Sequence, residues 1–127
     1  MKCYGQGIAT TLFFAIGSLS FAKPIEVFFG TGGRGSEGIY HATFNPDNGK
    51  FSPAKLSAKI GSPGFLAHHP NGKILYSLGR WDEKAGTVGY QRTPGGQLKE
   101  FTRMACPDGG GAHIAVHPSG KFLLTAQ

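Results

Sequence analysis

A seven-residue segment of this chain returns 48 positions later with only two replacements. His69-Pro70-Asn71-Gly72-Lys73-Ile74-Leu75 recurs as His117-Pro118-Ser119-Gly120-Lys121-Phe122-Leu123. The offset extends beyond that segment. Gly38 matches Gly86 and Pro46 matches Pro94; one residue drops out in the next turn, so Gly49 matches Gly96 and Phe51 matches Leu98. The register returns where Phe65-Leu66-Ala67 aligns with His113-Ile114-Ala115. A period of this length marks a supersecondary unit that stacks on copies of itself.

The content of the unit follows from turn chemistry. His-Pro-x-Gly-Lys is a tight turn, with Pro fixing φ at its second position and Gly suited to its fourth. It joins two short apolar runs as a hairpin. A second hairpin turns at Asn45-Pro46-Asp47-Asn48-Gly49 and at Thr93-Pro94-Gly95-Gly96. The apolar runs Ile25–Phe29, Ile39–Phe44, Gly64–Ala67, Ile74–Leu78, Ile114–Val116 and Phe122–Leu124 are bounded by turn residues. No window after residue 22 carries helical periodicity, so the fold class is all-β. Val27-Phe28-Phe29, Ile74-Leu75-Tyr76 and Phe122-Leu123-Leu124 are apolar on both faces, as in strands covered on both sides. Four strands in 48 residues make one blade of a β-propeller, and a blade buries its faces only by stacking on neighbours. The chain therefore reads as about two blades plus part of a third.

The N-terminal segment reads as an export signal. Lys2 is the only charge before Lys23, Thr11–Leu19 is mostly apolar, and Ser20-Phe21-Ala22 fits small-x-small cleavage after Ala22. The apolar run is too short for a transmembrane helix. Residues 1–22 are expected to be a signal peptide and 23–127 the exported domain, periplasmic or secreted, with no integral membrane segment after cleavage. Cleavage removes Cys3 and leaves Cys106 alone, so no internal disulfide forms. Cys106 is expected to be a small, half-buried side chain. The formal net charge of +6 falls to +5 without Lys2, and the thirteen basic residues are scattered. No basic run interleaves with stacking aromatics, which argues against a nucleic-acid partner.

The order of the pieces resembles the seven-bladed lactonase family, the propeller type of 6-phosphogluconolactonase. The matching pieces are Phe29-Gly30-Thr31-Gly32-Gly33, Gly38-Ile39-Tyr40, the turn Phe44–Phe51, Ser62–Tyr76 and Gly111–Leu124. There are departures. Leu78-Gly79-Arg80 stands where the family usually has Asn-Glu, and Ala112 replaces the family's proline before His113. Seven repeats of 48 residues need 336, against 105 after cleavage. The resemblance thus implies an N-terminal piece, inactive and poorly stable alone, and places the family's better-supported catalytic histidine beyond Gln127. Trp81-Asp82 matches the dipeptide of another propeller family, but at the wrong place in the unit, and reads as a loop.

The resemblance implies opening of a sugar lactone, a small-molecule substrate, with no cofactor or metal. A non-phosphorylated aldonolactone suits an exported protein better than the cytoplasmic phosphorylated one. The candidate catalytic residues are His113, at the start of an inner strand, and Arg80, after an inner hairpin near a channel mouth. His113 would bind the lactone or position water; a guanidinium suits an anionic or carbonyl oxygen. His69 and His117 repeat with the turn and read as architectural. His68 reads as facing the packing between blades, and His41 as surface. Gly30, Gly32, Gly33 and Gly35, and likewise Gly109–Gly111, precede no helix, so a nucleotide site is not expected. No Ser-His-Asp set and no His/Cys metal spacing is visible. The competing reading is a non-catalytic propeller that displays loops to a protein or glycan partner, since this fold hosts unrelated functions.

Overall fold

The computed structural model describes residues 22–107 and 109–127, so all of the expected signal peptide except Ala22 lies outside the described residues. Ten strands follow in order: β1 (Ile25–Gly30), β2 (Gly38–Asn45), β3 (Lys50–Phe51), β4 (Lys55–Lys59), β5 (Leu66–His68), β6 (Ile74–Trp81), β7 (Lys84–Arg92), β8 (Leu98–Ala105), β9 (His113–Val116) and β10 (Leu123–Ala126). They form three antiparallel sheets. The middle one, β5-β6-β7-β8, is a whole four-stranded blade. In the first, β1 pairs with β2, and β3 and β4 both pair with β2. Its outer strand is split around Pro53, which has no N–H to give a ladder. The third sheet is the β9–β10 hairpin. The 48-residue offset maps β1 on β6, β2 on β7, β3 and β4 on β8, and β9-β10 on β5-β6. The chain is therefore part of a β-propeller ring.

The repeated turn forms as its residues dictate. The Gly72 amide donates to the His69 carbonyl at 2.9 Å, and that of Gly120 to His117 at 2.8 Å. Both glycines have positive φ, 70° and 72°, where a Cβ is strained. His69 also links blades. Its Nδ1 accepts from the Asn71 amide at 3.1 Å, so Nε2 carries the proton and donates to the Gly120 carbonyl of the next turn at 3.0 Å. His117 repeats the local half of this arrangement through the Ser119 amide. Both histidines are architectural.

The core is the seam between the first two blades. Ile39 of β2 meets Leu75 of β6 and Val88 and Tyr90 of β7, together with Ile60 of the linker between them. Of Ile74-Leu75-Tyr76, expected to be covered on both faces, Leu75 is fully buried here while Ile74 and Tyr76 on the other face of β6 are half-buried. The equivalent runs are less covered: Phe29 is 39% exposed, and Phe122 and Leu124 are 64% and 56% exposed. Among the described residues, nothing pairs with the second edge of β1 or of β10.

Two side chains correct the sequence reading. His41 is buried rather than on the surface. It packs 5.0 Å from the Phe28 ring, faces Glu26 at 3.5 Å, and fits against Gly96. Its strand is the middle one of its blade, and the β7–β8 turn of the next blade covers it. Trp81 is not in a loop. It ends β6, pairs with Lys84, and packs against the core under the Arg103 guanidinium, 4.9 Å from its ring. The loop is only Asp82-Glu83, both at positive φ (44° and 62°), as a two-residue hairpin turn with the twist of its strands requires.

Candidate functional site

Strand polarity decides which end of the blades holds the candidate residues. The innermost strands β5 and β9 run toward the His-Pro-x-Gly turns, so they begin at the opposite end. The linker from the first blade, residues 60–65, and the linker to the third, residues 106–112, both arrive there. Arg80 lies at this end too. It is still within β6, one residue before the strand's end, rather than beyond the inner hairpin. Its backbone is fixed by a bridge to the linker: the Arg80 amide donates to the Gly61 carbonyl at 2.7 Å, and the Gly61 amide returns a bond at 3.2 Å. Its side chain is exposed.

Arg80 lines a cavity of about 100 Å³ with Ser62, Gly79 and Gly109–Gly111. Gly111 is pressed close, since an added Cβ would lie 2.6 Å from Thr125 and 2.9 Å from Leu78. Gly110 has a φ of 116°. The cavity is the volume of a few waters, and an arginine, a serine and three glycines are among the residues around it. The strand β9 follows the three glycines, as read from the sequence.

His113 opens β9 and pairs with Ala126. Its ring is exposed and stands 5.1 Å from that of Phe65, at 62° between planes. Phe65 connects it with the Arg80 side of the site, because the Leu78 amide donates to the Phe65 carbonyl at 3.0 Å. The structure thus brings Arg80 and His113 to one end of neighbouring blades, though His113 does not line the cavity. Phe65 is the neighbour that residue types alone do not flag; its alignment with His113 in the repeat is the signal for it.

The groups with displaced pKa values lie elsewhere. Burial, aided by Glu100, pushes the Tyr90 hydroxyl up to about 12. His68 is held below the usual histidine value by partial burial and by the Arg92 guanidinium. That side chain is still more than a third exposed, so the burial effect is modest. His68 stands 6.0 Å from Phe28 of the first blade, which is the position between blades expected of it. Cys106 is half-buried and free, and its amide donates to the Ala85 carbonyl at 2.8 Å. Larger open grooves exist, one of about 560 Å³ at Phe29, Arg34 and Tyr40 and one of about 240 Å³ at Tyr76, Met104 and Phe122, but neither holds a predicted residue. Among the described residues, no three His, Cys, Asp or Glu side chains gather as metal ligands, and no helix is long and apolar enough to cross a membrane.

Residues 26–127 match the family model described as lactonase, 7-bladed beta-propeller. The chain belongs to the lactonase family. It is 34% identical over 94 residues to the 6-phosphogluconolactonase of Bacillus subtilis, covering 73% of this chain and 27% of that one. Its fold matches a protein from Lactobacillus plantarum (TM-score 0.73, 23% identity, 81% of this chain and 30% of that one). It also matches the periplasmic gluconolactonase of Pseudomonas aeruginosa (TM-score 0.70, 18% identity, 81% and 31%). The lactonase chain described here therefore spans under a third of the length of these relatives.

Proposed function

We propose that this chain supplies the first blades of a seven-bladed lactonase ring that opens a sugar lactone. The observation that carries the reading is the convergence of Arg80, the Gly109–Gly111 loop and His113 at one end of the blades, in a member of the lactonase family. Opening a lactone adds water across the ring ester. A carbon–oxygen bond forms to the carbonyl, charge gathers on the carbonyl oxygen, and the ring oxygen leaves with a proton. The Arg80 guanidinium and the loop amides suit the oxygen that gains charge, or the carboxylate of the product. His113 suits holding the water or a ring hydroxyl. Both are contributors at the rim; the group that takes the proton belongs to a further blade.

The substrate we favour is an aldonolactone without a phosphate. The apolar N-terminal segment supports export, with cleavage after Ala22, and a periplasmic gluconolactonase shares the fold. N-terminal sequencing of exported protein should begin at Lys23; retention of the segment in the cytoplasm would contradict this. The functional test is a pH-stat assay of D-glucono-1,5-lactone opening by the complete ring containing this chain, against the spontaneous rate. Arg80→Gln and His113→Ala should each lower kcat/KM by roughly tenfold or more, the worth of one charge-assisted hydrogen bond. Preference for the 6-phosphorylated lactone would overturn the substrate assignment. No acceleration with either lactone would overturn the enzyme reading in favour of a binding propeller.

A further inference from the structure

Phe65 and His113 stand at the same position of successive repeats, 48 residues apart. His113 opens the innermost strand of its blade, and Phe65 immediately precedes that of the other. Their rings form the two walls of a corner, 5.1 Å apart and 62° between planes. Phe65 is 45% exposed. The other exposed large apolar side chains lie on strands with an unpaired edge among the described residues, β1 (Ile25, Phe29), β3 (Phe51), β8 (Phe101, Met104) and β10 (Leu123, Leu124), or just before β10 (Phe122). Phe65 differs, because the strands beside it, β6 and β9, are both in place and its ring is still open to solvent. Folding within these blades leaves this aromatic uncovered at the end where Arg80 and Gly110 line a polar cavity; Leu78, bonded through its amide to the Phe65 carbonyl, lines that same cavity.

We propose that Phe65 is a ligand-contacting residue whose ring packs on the carbon–hydrogen face of a sugar-derived ring, while the corner at Arg80 takes that ring's oxygens. The inference rests on the sugar-lactone reading above and names a residue that reading leaves out. Sites for small molecules combine an apolar or aromatic wall with a few placed polar groups. The electron-rich face of an aromatic ring suits the weakly positive hydrogens on one side of a pyranose, and its burial adds apolar contact. A six-membered lactone is flat enough to meet such a wall and carries its oxygens at the rim.

The test uses the complete ring containing this chain, with D-gluconate and D-glucono-1,5-lactone as probes in saturation-transfer NMR. The parent protein should show transfer to the ring protons of the probe, and Phe65→Ala should weaken the apparent affinity by about tenfold. Phe65→Trp should keep the affinity and add a fluorescence change on probe binding. Thermal unfolding of both variants should match the parent, since the side chain is half exposed. Binding by the parent that is unchanged in Phe65→Ala would overturn this inference and leave the lactone reading standing. No binding of either probe by the parent, with a folded protein by circular dichroism, would overturn both. Lost binding together with a lowered melting temperature would assign Phe65 to structure, and would also overturn the inference.

Discussion

Leu75 and Leu123 occupy the same position of successive repeats, but the structure gives them different surroundings. Leu75 is 0% exposed, enclosed by Ile39, Ile60, Val88 and Tyr90 in the seam between the first two blades. Leu123 is 36% exposed along an open groove of the third sheet. Truncating a fully enclosed leucine removes its transfer energy and leaves a cavity, at a cost of about 2–5 kcal/mol. That is a large part of the roughly 5–15 kcal/mol that holds an ordinary domain together. Truncating Leu123 leaves no closed cavity, and should cost about 1 kcal/mol from lost apolar area. Urea unfolding followed by circular dichroism measures both. With an m-value of about 1–3 kcal/mol/M, Leu75→Ala should lower the midpoint by at least twice as much as Leu123→Ala, at unchanged m. Equal losses at the two sites would refute the reasoning, because the third sheet would then have to be covered in solution as fully as the second.

The pH response follows from His68, whose folded pKa lies below the unfolded 6.5. Above pH 6.5 the group is neutral in both states; as pH falls below that value the unfolded chain binds the proton more readily, so stability should decline. Urea titrations at pH 8 and pH 5 check this, and His68→Gln should reduce the difference. Gly96→Ala should destabilise by more than about 1 kcal/mol, since Gly96 has φ 77° and its Cβ would lie 2.0 Å from the His41 ring; a wild-type urea midpoint would contradict the His41 packing. Tyr90→Phe should be neutral or stabilising, because the buried Tyr90 hydroxyl has no hydrogen-bond partner among the described residues. A loss above about 1 kcal/mol in that variant would mean the hydroxyl is bonded after all.

What could be read from the sequence was whatever local chemistry decides. The two His-Pro-x-Gly turns, the Asn45–Gly49 turn and the inner strands follow from glycine, proline and apolar runs, and they form as read. The outer strands β4 and β8 were not legible. All of β8 beyond Leu98 is exposed, so no apolar run marks it. The Asp82-Glu83 turn was hidden because two acidic residues take the positive φ that glycine or asparagine usually signals. His41 was misread because its repeat partner, Gly89, carries no side chain, and its burial comes from the neighbouring blade. The same division holds at the candidate site. Strand direction sends Arg80 and His113 to one end of the blades, but the arrival of Gly109–Gly111 beside Arg80 depends on how one blade folds back against the next.

The proposed sugar-binding surface is the end of the blades at Arg80 and His113. Amide chemical-shift mapping of nitrogen-15-labelled protein, titrated with D-gluconate and D-glucono-1,5-lactone, locates that surface. Saturable shifts should concentrate at Ser62, Phe65, Arg80, Gly110, Gly111 and His113, and should fade in Arg80→Gln. Saturable shifts confined to the groove at Phe29, Arg34 and Tyr40, or to the groove at Met104 and Phe122, would contradict it.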